Sequence, residues 1–464
     1  MIKIDFSWLA EVLNTPYDGD NLAVANINTD TRTLAPGEVF LALQGPNFDG
    51  HHFLQTAKER GAIAAIVSKA NHDIDMVQFV VPDTRIALGK LGQAVIETVQ
   101  PKTIAITGSV GKTTVKEMCA AILSQKGKVL ATKGNFNNDI GVPLTLLRLA
   151  EDDEYAVIEL GANHIGEIAY TTALVHPDVA TVCNVAPAHI EGFGSIDGVG
   201  QAKGEIFSGL KPSGIAVINA DSNYAQMWQD NLTVDNVKRY SVKQAEDMWV
   251  EDVTLDDIAR AEFTLCRGDE RIKVALPLSG EHNVNNALIA AALTTELGAS
   301  LPEVASGLAQ MQEVKGRVNM IQVSPRLRVV DDTYNANVKS VNAAIDLLSS
   351  MQGYKVLALG DMAELGEDAR AYHQEVGEYA KAKGIDELFS LGVLSSSASN
   401  VFEKPNRHFS TRESMLAALK QVLAEQSQPC TVIVKGSRSA RMELLVAELV
   451  TAGRTDSETG DAAC

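Results

Sequence analysis

Cysteine, tryptophan and aromatic residues in general are scarce in this chain. Its 464 residues include 5 cysteines and 3 tryptophans, and phenylalanine, tyrosine and tryptophan together make up 5%. The cysteines are odd in number, scattered and without CxxC spacing, which indicates reduced thiols rather than a disulfide framework or a zinc site. They are Cys119, Cys183, Cys266, Cys430 and Cys464. We assign them no chemistry.

The chain also lacks a long apolar run and an excess of basic residues. No window approaches 18 uncharged apolar residues, and no basic stretch followed by an apolar run comes after Met1. We therefore expect neither secretion nor a membrane span, and place the protein in the cytoplasm. Lysine and arginine number 40 against 59 aspartates and glutamates, a formal net charge of -19. Holding a nucleic-acid backbone requires clustered basic residues, so we expect no nucleic-acid partner.

What the chain does contain is the composition of a soluble globular enzyme rather than of a disordered or fibrous protein, with 45% hydrophobic and 21% charged residues. Its length exceeds what one core usually serves, and we expect three domains, 1–82, 83–312 and 313–464. The first reads as a small α/β domain. The second alternates apolar strands with helical patterns, which predicts a doubly wound, mostly parallel sheet, with antiparallel strands around residues 240–280. The third reads as a Rossmann-like α/β domain, and we expect the polar residues 455–464 to be a flexible tail.

The clearest motif is Thr107-Gly-Ser-Val-Gly-Lys-Thr-Thr, between a predicted strand and a predicted helix. Its glycines let backbone N–H groups face phosphates, Lys112 offers a positive charge, and the Thr113 hydroxyl can reach Mg²⁺. Ile106 stands where the usual pattern has its first glycine, so the loop is a shortened variant. The motif predicts a nucleotide site but no particular reaction, and a purely structural glycine turn is the alternative. Its residues are Thr107, Gly108, Ser109, Val110, Gly111, Lys112, Thr113 and Thr114.

Two clusters further along the chain are suited to holding a polar ligand or a metal. Asn135, Asn137 and Asn138 crowd one glycine-framed loop, and such amides can bind an uncharged polar substrate, although asparagine is also common in turns. Glu159 ends an apolar strand, as an acidic magnesium ligand often does in nucleotide-binding sheets. Neither pattern alone separates a functional role from a structural one.

Further polar residues lie at positions that either a ligand site or a local structural role would explain. Asn283 and Asn286 fall in the first turns of a predicted helix, where capping explains one of them. Asp331 and Asp332 end a strand, and burying two carboxylates without partners is costly, which favours a site. His189 and Lys203 lie about one helical unit apart, and on their own such residues are more often structural or solvated.

These clusters, in this order, resemble the Mur ligase family over nearly the whole chain, excluding only the tail. The family features are the phosphate loop, Glu159, His189, Lys203, the His-Asn-x-x-Asn of residues 282–286 and Gly316-Arg317. More selective for the branch that adds D-alanyl-D-alanine are residues 134–138, 202–207, 331–337 and 359–366. Val338 departs from the pattern, which has proline after Asn337.

The resemblance implies an ATP-dependent carbon–nitrogen ligase of peptidoglycan biosynthesis. It would add D-alanyl-D-alanine to UDP-N-acetylmuramoyl-tripeptide through an acyl phosphate, yielding the pentapeptide, ADP and phosphate, and would act as a monomer. The first domain would bind the UDP-muramoyl end, the second ATP, and the third would close over both and bind the dipeptide. The alternatives are another Mur-type amino-acid ligase, a folylpolyglutamate synthase, or a nucleotide-binding regulatory module that does not catalyse.

The resemblance also implies roles for individual residues. The implied catalytic residues are Lys112, Glu159, His189 and Lys203. ATP would contact the phosphate loop together with Asn283, Arg317 and Asp332. The UDP substrate would contact Thr29, Asp30, Thr31, Arg32, Gln44, Gly45, Asn135, Asn137 and Asn138. Two Mg²⁺ ions would be held by Thr113 and Glu159, and by His189 and a Lys203 carbamate formed from carbon dioxide. The dipeptide would lie near Asn335, Asn337 and Lys435.

Overall fold

The first unit of the chain is built on a four-stranded parallel sheet of order β3-β4-β7-β8. The computed structural model describes residues 2–45, 47–187, 190–405 and 407–460. Every residue of the two central strands β4 and β7 is buried, as expected for strands covered on both faces. The elements are β1 Ile4–Asp5, α1 Phe6–Leu13, β2 Ala23–Val24, β3 Ile27–Asn28, β4 Val39–Leu41, β5 Gln44–Gly45, β6 Phe48–Asp49, a 3-10 helix Gly50–Phe53, α2 Leu54–Glu59, β7 Ala64–Val67 and β8 Val77–Val80.

The second unit holds a nine-stranded sheet of order β10-β11-β9-β12-β13-β14-β15-β16-β17. Its strands are parallel from β10 to β15 and antiparallel from β15 to β17, which confirms the predicted doubly wound sheet and its antiparallel stretch. The strands are β9 Lys102–Thr107, β10 Val129–Ala131, β11 Tyr155–Glu159, β12 Val179–Val182, β13 Ile215–Asn219, β14 Asn236–Ser241, β15 Met248–Leu255, β16 Arg260–Arg267 and β17 Glu270–Ser279. The helices are α3 Thr84–Val99, α4 Lys112–Leu123, α5 Gly141–Leu146, α6 Glu167–Val175, α7 Ile190–Phe193, α8 Ile196–Gly204, a 3-10 helix Glu205–Gly209, α9 Ala225–Asp230, α10 His282–Glu296 and α11 Leu301–Ala309.

Strand β9 lies where the order of this sheet reverses. The chain passes from β9 to β10 and β11 on one side and then to β12 on the other. Ligands of open α/β sheets bind beyond the carboxyl ends of strands at such a switch point. The phosphate loop and Glu159 follow two adjacent strands at this edge, so the topology brings them together.

The third unit holds a six-stranded sheet of order β18-β19-β23-β20-β21-β22, parallel except for β18. Asp332 and Lys435 are partners in register at the ends of β19 and β23. The strands are β18 Asn319–Ser324, β19 Leu327–Asp332, β20 Tyr354–Gly360, β21 Glu387–Leu391, β22 His408–Phe409 and β23 Cys430–Lys435. The helices are α12 Val338–Ser350, a 3-10 helix Gly366–Asp368, α13 Ala369–Ala382, α14 Ser396–Phe402, α15 Arg412–Glu425, a 3-10 helix Arg438–Ala440 and α16 Glu443–Gly460.

The three main sheets fall within the three predicted ranges, 1–82, 83–312 and 313–464. One continuous cluster of buried apolar residues, including Phe6, Phe79 and Leu88, nevertheless joins the first and second units. The predicted tail is helical up to Gly460, because no proline interrupts the hydrogen bonding of α16; residues 461–464 lie outside the described residues. Among the described helices, none has the length and apolar character needed to cross a membrane.

Candidate active site

The loop between β9 and α4 has the geometry of a phosphate cradle. Gly108 and Gly111 have φ angles of 151° and 85°, which other residues rarely adopt. A Cβ at Gly111 would lie 2.6 Å from Oδ1 of Asn286, so a side chain here would displace that amide. The N-terminus of α4, with its unpaired N–H groups and positive dipole end, follows directly. This is the arrangement that binds phosphate groups.

Lys112 lies folded across this loop. Its Nζ donates a hydrogen bond to the carbonyl oxygen of Gly108 at 2.7 Å. Burial lowers the pKa of the Lys112 ammonium, and the nearby Glu159 carboxylate partly opposes that shift. This hydrogen bond keeps the Lys112 ammonium within the loop.

Asn184, two residues after the neighbouring strand β12, bonds to the loop with its side chain and its backbone. The Val110 N–H donates to Asn184 Oδ1 at 3.0 Å, and Asn184 Nδ2 donates to the Val110 carbonyl at 2.8 Å. The Asn184 carbonyl also accepts from the Ser109 N–H at 3.1 Å. Asn184 was not predicted as a site residue, and the signal that could have identified it is its position just after a buried strand.

A set of oxygen atoms converges beside the loop. The Thr113 hydroxyl donates to Glu159 Oε2 at 2.8 Å, and Asn137 Nδ2 donates to Glu159 Oε1 at 2.8 Å. Glu159 is buried. Hard cations such as Mg²⁺ take hydroxyl and carboxylate oxygens, so this donor set fits Mg²⁺ shared with nucleotide phosphates. The described residues contain no group of three or more His, Cys, Asp or Glu side chains placed to hold a metal by themselves.

Lys116, which was not predicted as a site residue, supports Glu159 indirectly. It is buried on α4, and its Nζ donates to the carbonyl of Thr132 at 2.7 Å and pairs with Glu117. The Thr132 hydroxyl in turn accepts from the backbone N–H of Glu159 at 3.0 Å. A lysine on the buried face of the helix after a phosphate loop was the signal that could have found it.

Arg317 brings the third unit to the phosphate loop. Its Nη2 donates to the Thr113 hydroxyl at 2.9 Å, across 204 residues of sequence. The Arg317 guanidinium also lies over the ring of Tyr334, 4.2 Å from the ring centroid. The Thr113 hydroxyl, which could reach Mg²⁺, therefore also accepts a hydrogen bond from Arg317 of the third unit.

Lys203 is fully buried near the end of α8. Burial, with a smaller contribution from the Lys112 charge, lowers the pKa of Lys203 to about 7. Its amine is therefore about half neutral at pH 7. His189, predicted to lie beside it, falls outside the described residues.

Asp332 and Lys435, which were predicted to serve different ligands, form a buried ion pair. Lys435 Nζ lies 2.6 Å from Asp332 Oδ2 and also donates to the Asn335 carbonyl at 3.1 Å. Asn337 caps helix α12, since its Oδ1 accepts from the Ser340 N–H at 3.0 Å. Lys435 thus orients Asp332 directly, and Asn337 has a local structural role whether or not it meets a ligand.

The two asparagines at the start of α10 bond to each other. Asn286 Nδ2 donates to Asn283 Oδ1 at 2.9 Å, and Asn283 Nδ2 donates to the Ser279 carbonyl at 2.8 Å. Both side chains are buried, and Asn286 lies against Gly111 of the phosphate loop.

A cavity of about 1360 Å³ between the second and third units collects most of the predicted residues. Its lining includes Ser109, Val110, Gly111, Lys112, Thr113, Thr114, Asn135, Asn137, Asn138, Glu159, Lys203, Asn283, Arg317, Asp332, Asn335, Asn337 and Lys435. Outside the lining lie Thr107 and Gly108 of the loop and, in the first unit, Thr29, Asp30, Thr31, Arg32, Gln44 and Gly45.

Arg32 and Asp30 form their own charged group in the first unit. Arg32 Nη2 lies 2.7 Å from Asp30 Oδ2, and the Arg32 side chain is 86% exposed. Hydrogen bonds from Arg32 lower the pKa of Asp30 to about 2. The Arg32 guanidinium is paired with Asp30 and open to solvent.

Comparison with known proteins shows similarity across all three units. Residues 23–105 match a model of the Mur ligase family catalytic domain, residues 106–294 the Mur ligase middle domain, and residues 316–438 the Mur ligase glutamate ligase domain. The UDP-N-acetylmuramoyl-tripeptide–D-alanyl-D-alanine ligase of Escherichia coli (strain K12) is 49% identical over 456 residues, 97% of this chain and 99% of the relative.

Two solved structures agree with that similarity. A crystal structure of MurF from Acinetobacter baumannii superposes with a TM-score of 0.92 at 36% identity, covering 97% of this chain and 99% of that one. A crystal structure of MurF ligase from Thermotoga maritima in complex with ADP gives a TM-score of 0.83 at 26% identity, covering 93% and 98%.

Proposed function

The chain belongs to the Mur ligase family, and from that membership we propose that it is the ATP-dependent ligase that joins D-alanyl-D-alanine to UDP-N-acetylmuramoyl-tripeptide. The products are the UDP-linked pentapeptide, ADP and phosphate, and the step belongs to peptidoglycan biosynthesis. The observation that carries this proposal is the 49% identity to a ligase of that name over 97% of the chain.

The phosphates of ATP bind the loop at the N-terminus of α4. Lys112 exchanges the Gly108 carbonyl for phosphate oxygens, and the glycine backbone lets N–H groups approach them. Thr113 and Glu159 would hold Mg²⁺, which would supply charge neutralisation and orientation of the phosphate oxygens. That neutralisation is needed because each close pair of like unit charges costs about 4 kcal/mol at an effective dielectric near 20.

The reaction then proceeds in two transfers. A carboxylate oxygen of the tripeptide attacks the γ-phosphorus, the bond from phosphorus to the bridging oxygen breaks, and ADP leaves. The neutral amine of D-alanyl-D-alanine attacks the acyl carbon, the carbon–oxygen bond breaks, and phosphate leaves as the amine nitrogen gives up its proton. Lys112 and Arg317 stabilise the transferring negative charge from the loop side.

Lys203 would act as an anion once its neutral amine nitrogen has formed a bond to the carbon of carbon dioxide. One C=O π bond of carbon dioxide then becomes a C–O⁻ bond, and the nitrogen releases a proton to solvent. A pKa near 7 leaves a substantial neutral fraction, which that addition requires. The carbamate oxygens suit a second Mg²⁺, since an ammonium would repel the ion and a carbamate attracts it. His189 is the proposed partner of Lys203 at that ion.

The ends of the two substrates are assigned to different units. The exposed guanidinium of Arg32 supports a place for the UDP diphosphate in the first unit, within the predicted set from Thr29 to Gly45. Asn335 and Lys435 line the cavity on the third unit and support a place for the dipeptide there. We propose that the protein works as a monomer in the cytoplasm.

The assay that tests this function follows phosphate release from ATP and Mg²⁺. Release should require both UDP-N-acetylmuramoyl-tripeptide and D-alanyl-D-alanine, because the acyl phosphate forms on one and is consumed by the other. Equal release without the dipeptide would exclude the ligase. Preference for a single amino acid would favour another Mur-type ligase or a folylpolyglutamate synthase, and no release with any amine would favour a regulatory module.

A further inference from the structure

The backbone around Arg317 is held in an unusual conformation. Gly316 and Val318, on either side of it, have φ angles of 73° and 57°. A β-branched residue at positive φ is strained, and such strain persists only where the surroundings impose it. Here the Tyr334 N–H donates to the Gly316 carbonyl at 3.0 Å, and Asn319 Oδ1 accepts from the Gly316 N–H at 2.6 Å. The turn therefore fixes the position of the Arg317 Cα and the direction in which its side chain leaves the backbone.

The Arg317 guanidinium is only partly satisfied by hydrogen bonds. Its Nη2 donates to the Thr113 hydroxyl, while its buried Nε has no hydrogen-bond partner among the described residues. The Tyr334 ring lies 4.2 Å from the guanidinium carbon. An aromatic face attracts a cation more strongly when the cation is shielded from water. The Tyr334 ring therefore stabilises the guanidinium on the side where Nε makes no hydrogen bond.

Tyr334 also closes the turn from the opposite side. A Cβ at Gly316 would lie 3.2 Å from the Tyr334 backbone nitrogen and 3.3 Å from its Cβ. The Tyr334 backbone thus bonds to the turn that carries the Arg317 backbone, and the Tyr334 ring contacts the Arg317 guanidinium. A stacked, planar guanidinium keeps its donors in a fixed fork, which is the geometry that recognises phosphate oxygens.

We propose that Tyr334 is a positioning residue that holds the Arg317 guanidinium against the phosphate loop, so that the site is preset for the phosphates of the nucleotide. The proposal rests on the proposed function in taking ATP and ADP as the ligands. Tyr334 acts through Arg317, and the adenine base is not its partner. Its contribution therefore depends on how many phosphates the ligand carries.

The test is calorimetric titration of Tyr334→Leu and Tyr334→Phe with ADP and Mg²⁺, and with adenosine. Tyr334→Leu should weaken ADP binding about tenfold, which corresponds to about 1.4 kcal/mol. It should leave adenosine binding unchanged, because adenosine has no phosphate for Arg317 to meet. Tyr334→Phe keeps the ring and should bind ADP like the parent. In turnover, Tyr334→Leu should raise the KM for ATP and leave the KM for the dipeptide unchanged.

Tyr379→Leu is the matched control, since Tyr379 also lies beneath a cation, Lys383 at 5.1 Å, outside the cavity lining. It should bind ADP like the parent. Equal loss of ADP and adenosine binding in Tyr334→Leu would show that the ring stacks on the base and would overturn the proposal. Parental ADP affinity in Tyr334→Leu would overturn it too. Tight ADP binding by a parent enzyme that makes no pentapeptide would overturn the proposed function and leave the role of Tyr334 standing.

Discussion

Replacing Lys203 by alanine tests whether a lysine carbamate takes part in the reaction. Burial lowers the pKa of this amine from 10.5 to about 7. At pH 7 about half of the amine is then neutral, against about one part in 3000 for an ordinary lysine, so on the order of a thousandfold more can add carbon dioxide. Lys203→Ala should lose nearly all turnover, and high concentrations of formate or acetate should restore part of it by supplying the missing oxygens.

The same pKa shift gives a sign for stability. In buffer free of carbon dioxide, the folded state must keep a charge buried below pH 7, and this costs on the order of 5 kcal/mol for a shift from 10.5 to about 7. Between pH 7 and 10.5 the unfolded chain binds more protons than the folded one, so stability rises with pH. Lys203→Met should therefore be more stable than the parent at pH 6, and the difference in unfolding free energy should shrink toward pH 10.5.

Lys112→Ala serves as the control for the rescue experiment. Lys112 acts as a cation, so formate should not restore its loss, whereas the carbamate oxygens of Lys203 can be replaced. Wild-type turnover in Lys203→Ala would refute the carbamate, and so would equal rescue of both variants by formate.

Three further substitutions probe the rest of the site. Lys112→Ala should lower kcat at least a hundredfold and leave the fold intact, because the lysine stabilises transferring charge rather than filling a core. Near-normal kcat would show that the phosphate loop takes no part in the reaction. Arg32→Ala should raise the KM for the UDP substrate much more than that for ATP, and an effect confined to ATP would move the UDP site elsewhere. Lys116→Met should destabilise the fold by about 1–3 kcal/mol, because the Thr132 carbonyl is left buried and unpaired, and should raise the Mg²⁺ concentration needed for half-maximal turnover. An unchanged Mg²⁺ requirement would limit Lys116 to a structural role.

The parts of the fold that the sequence predicted are those recorded in local patterns. The phosphate loop is a contiguous motif with glycines at positions of positive φ, so its strand–loop–helix setting follows from neighbouring residues. Alternating apolar strands and helical patterns likewise predicted the parallel sheet, and the change of pattern near residue 240 predicted the antiparallel strands. The family resemblance is confirmed by relatives that match nearly the whole chain.

The contacts that the sequence could not predict join distant residues. Arg317 reaches Thr113 across 204 residues, and Lys435 reaches Asp332 across 103, so neither pairing leaves a local periodicity. The role of an asparagine is also hard to predict from sequence, because the same amide can cap a turn or bind a ligand. Asn138 accepts from the Gly141 N–H at 2.8 Å and caps a turn, while Asn137, one residue earlier, donates to Glu159. The roles of these asparagines toward a substrate stay predictions.

We propose above that this chain joins D-alanyl-D-alanine to the UDP-linked tripeptide and converts ATP to ADP and phosphate as it does so. The most direct measurement is the mass spectrum of a reaction containing the enzyme, ATP, Mg²⁺, UDP-N-acetylmuramoyl-tripeptide and D-alanyl-D-alanine. We expect a new species with the mass of the UDP-linked pentapeptide, formed in equal amount to ADP and absent when ATP is omitted. Consumption of ATP without that species, or a product that incorporates a single amino acid in preference to the dipeptide, would contradict it.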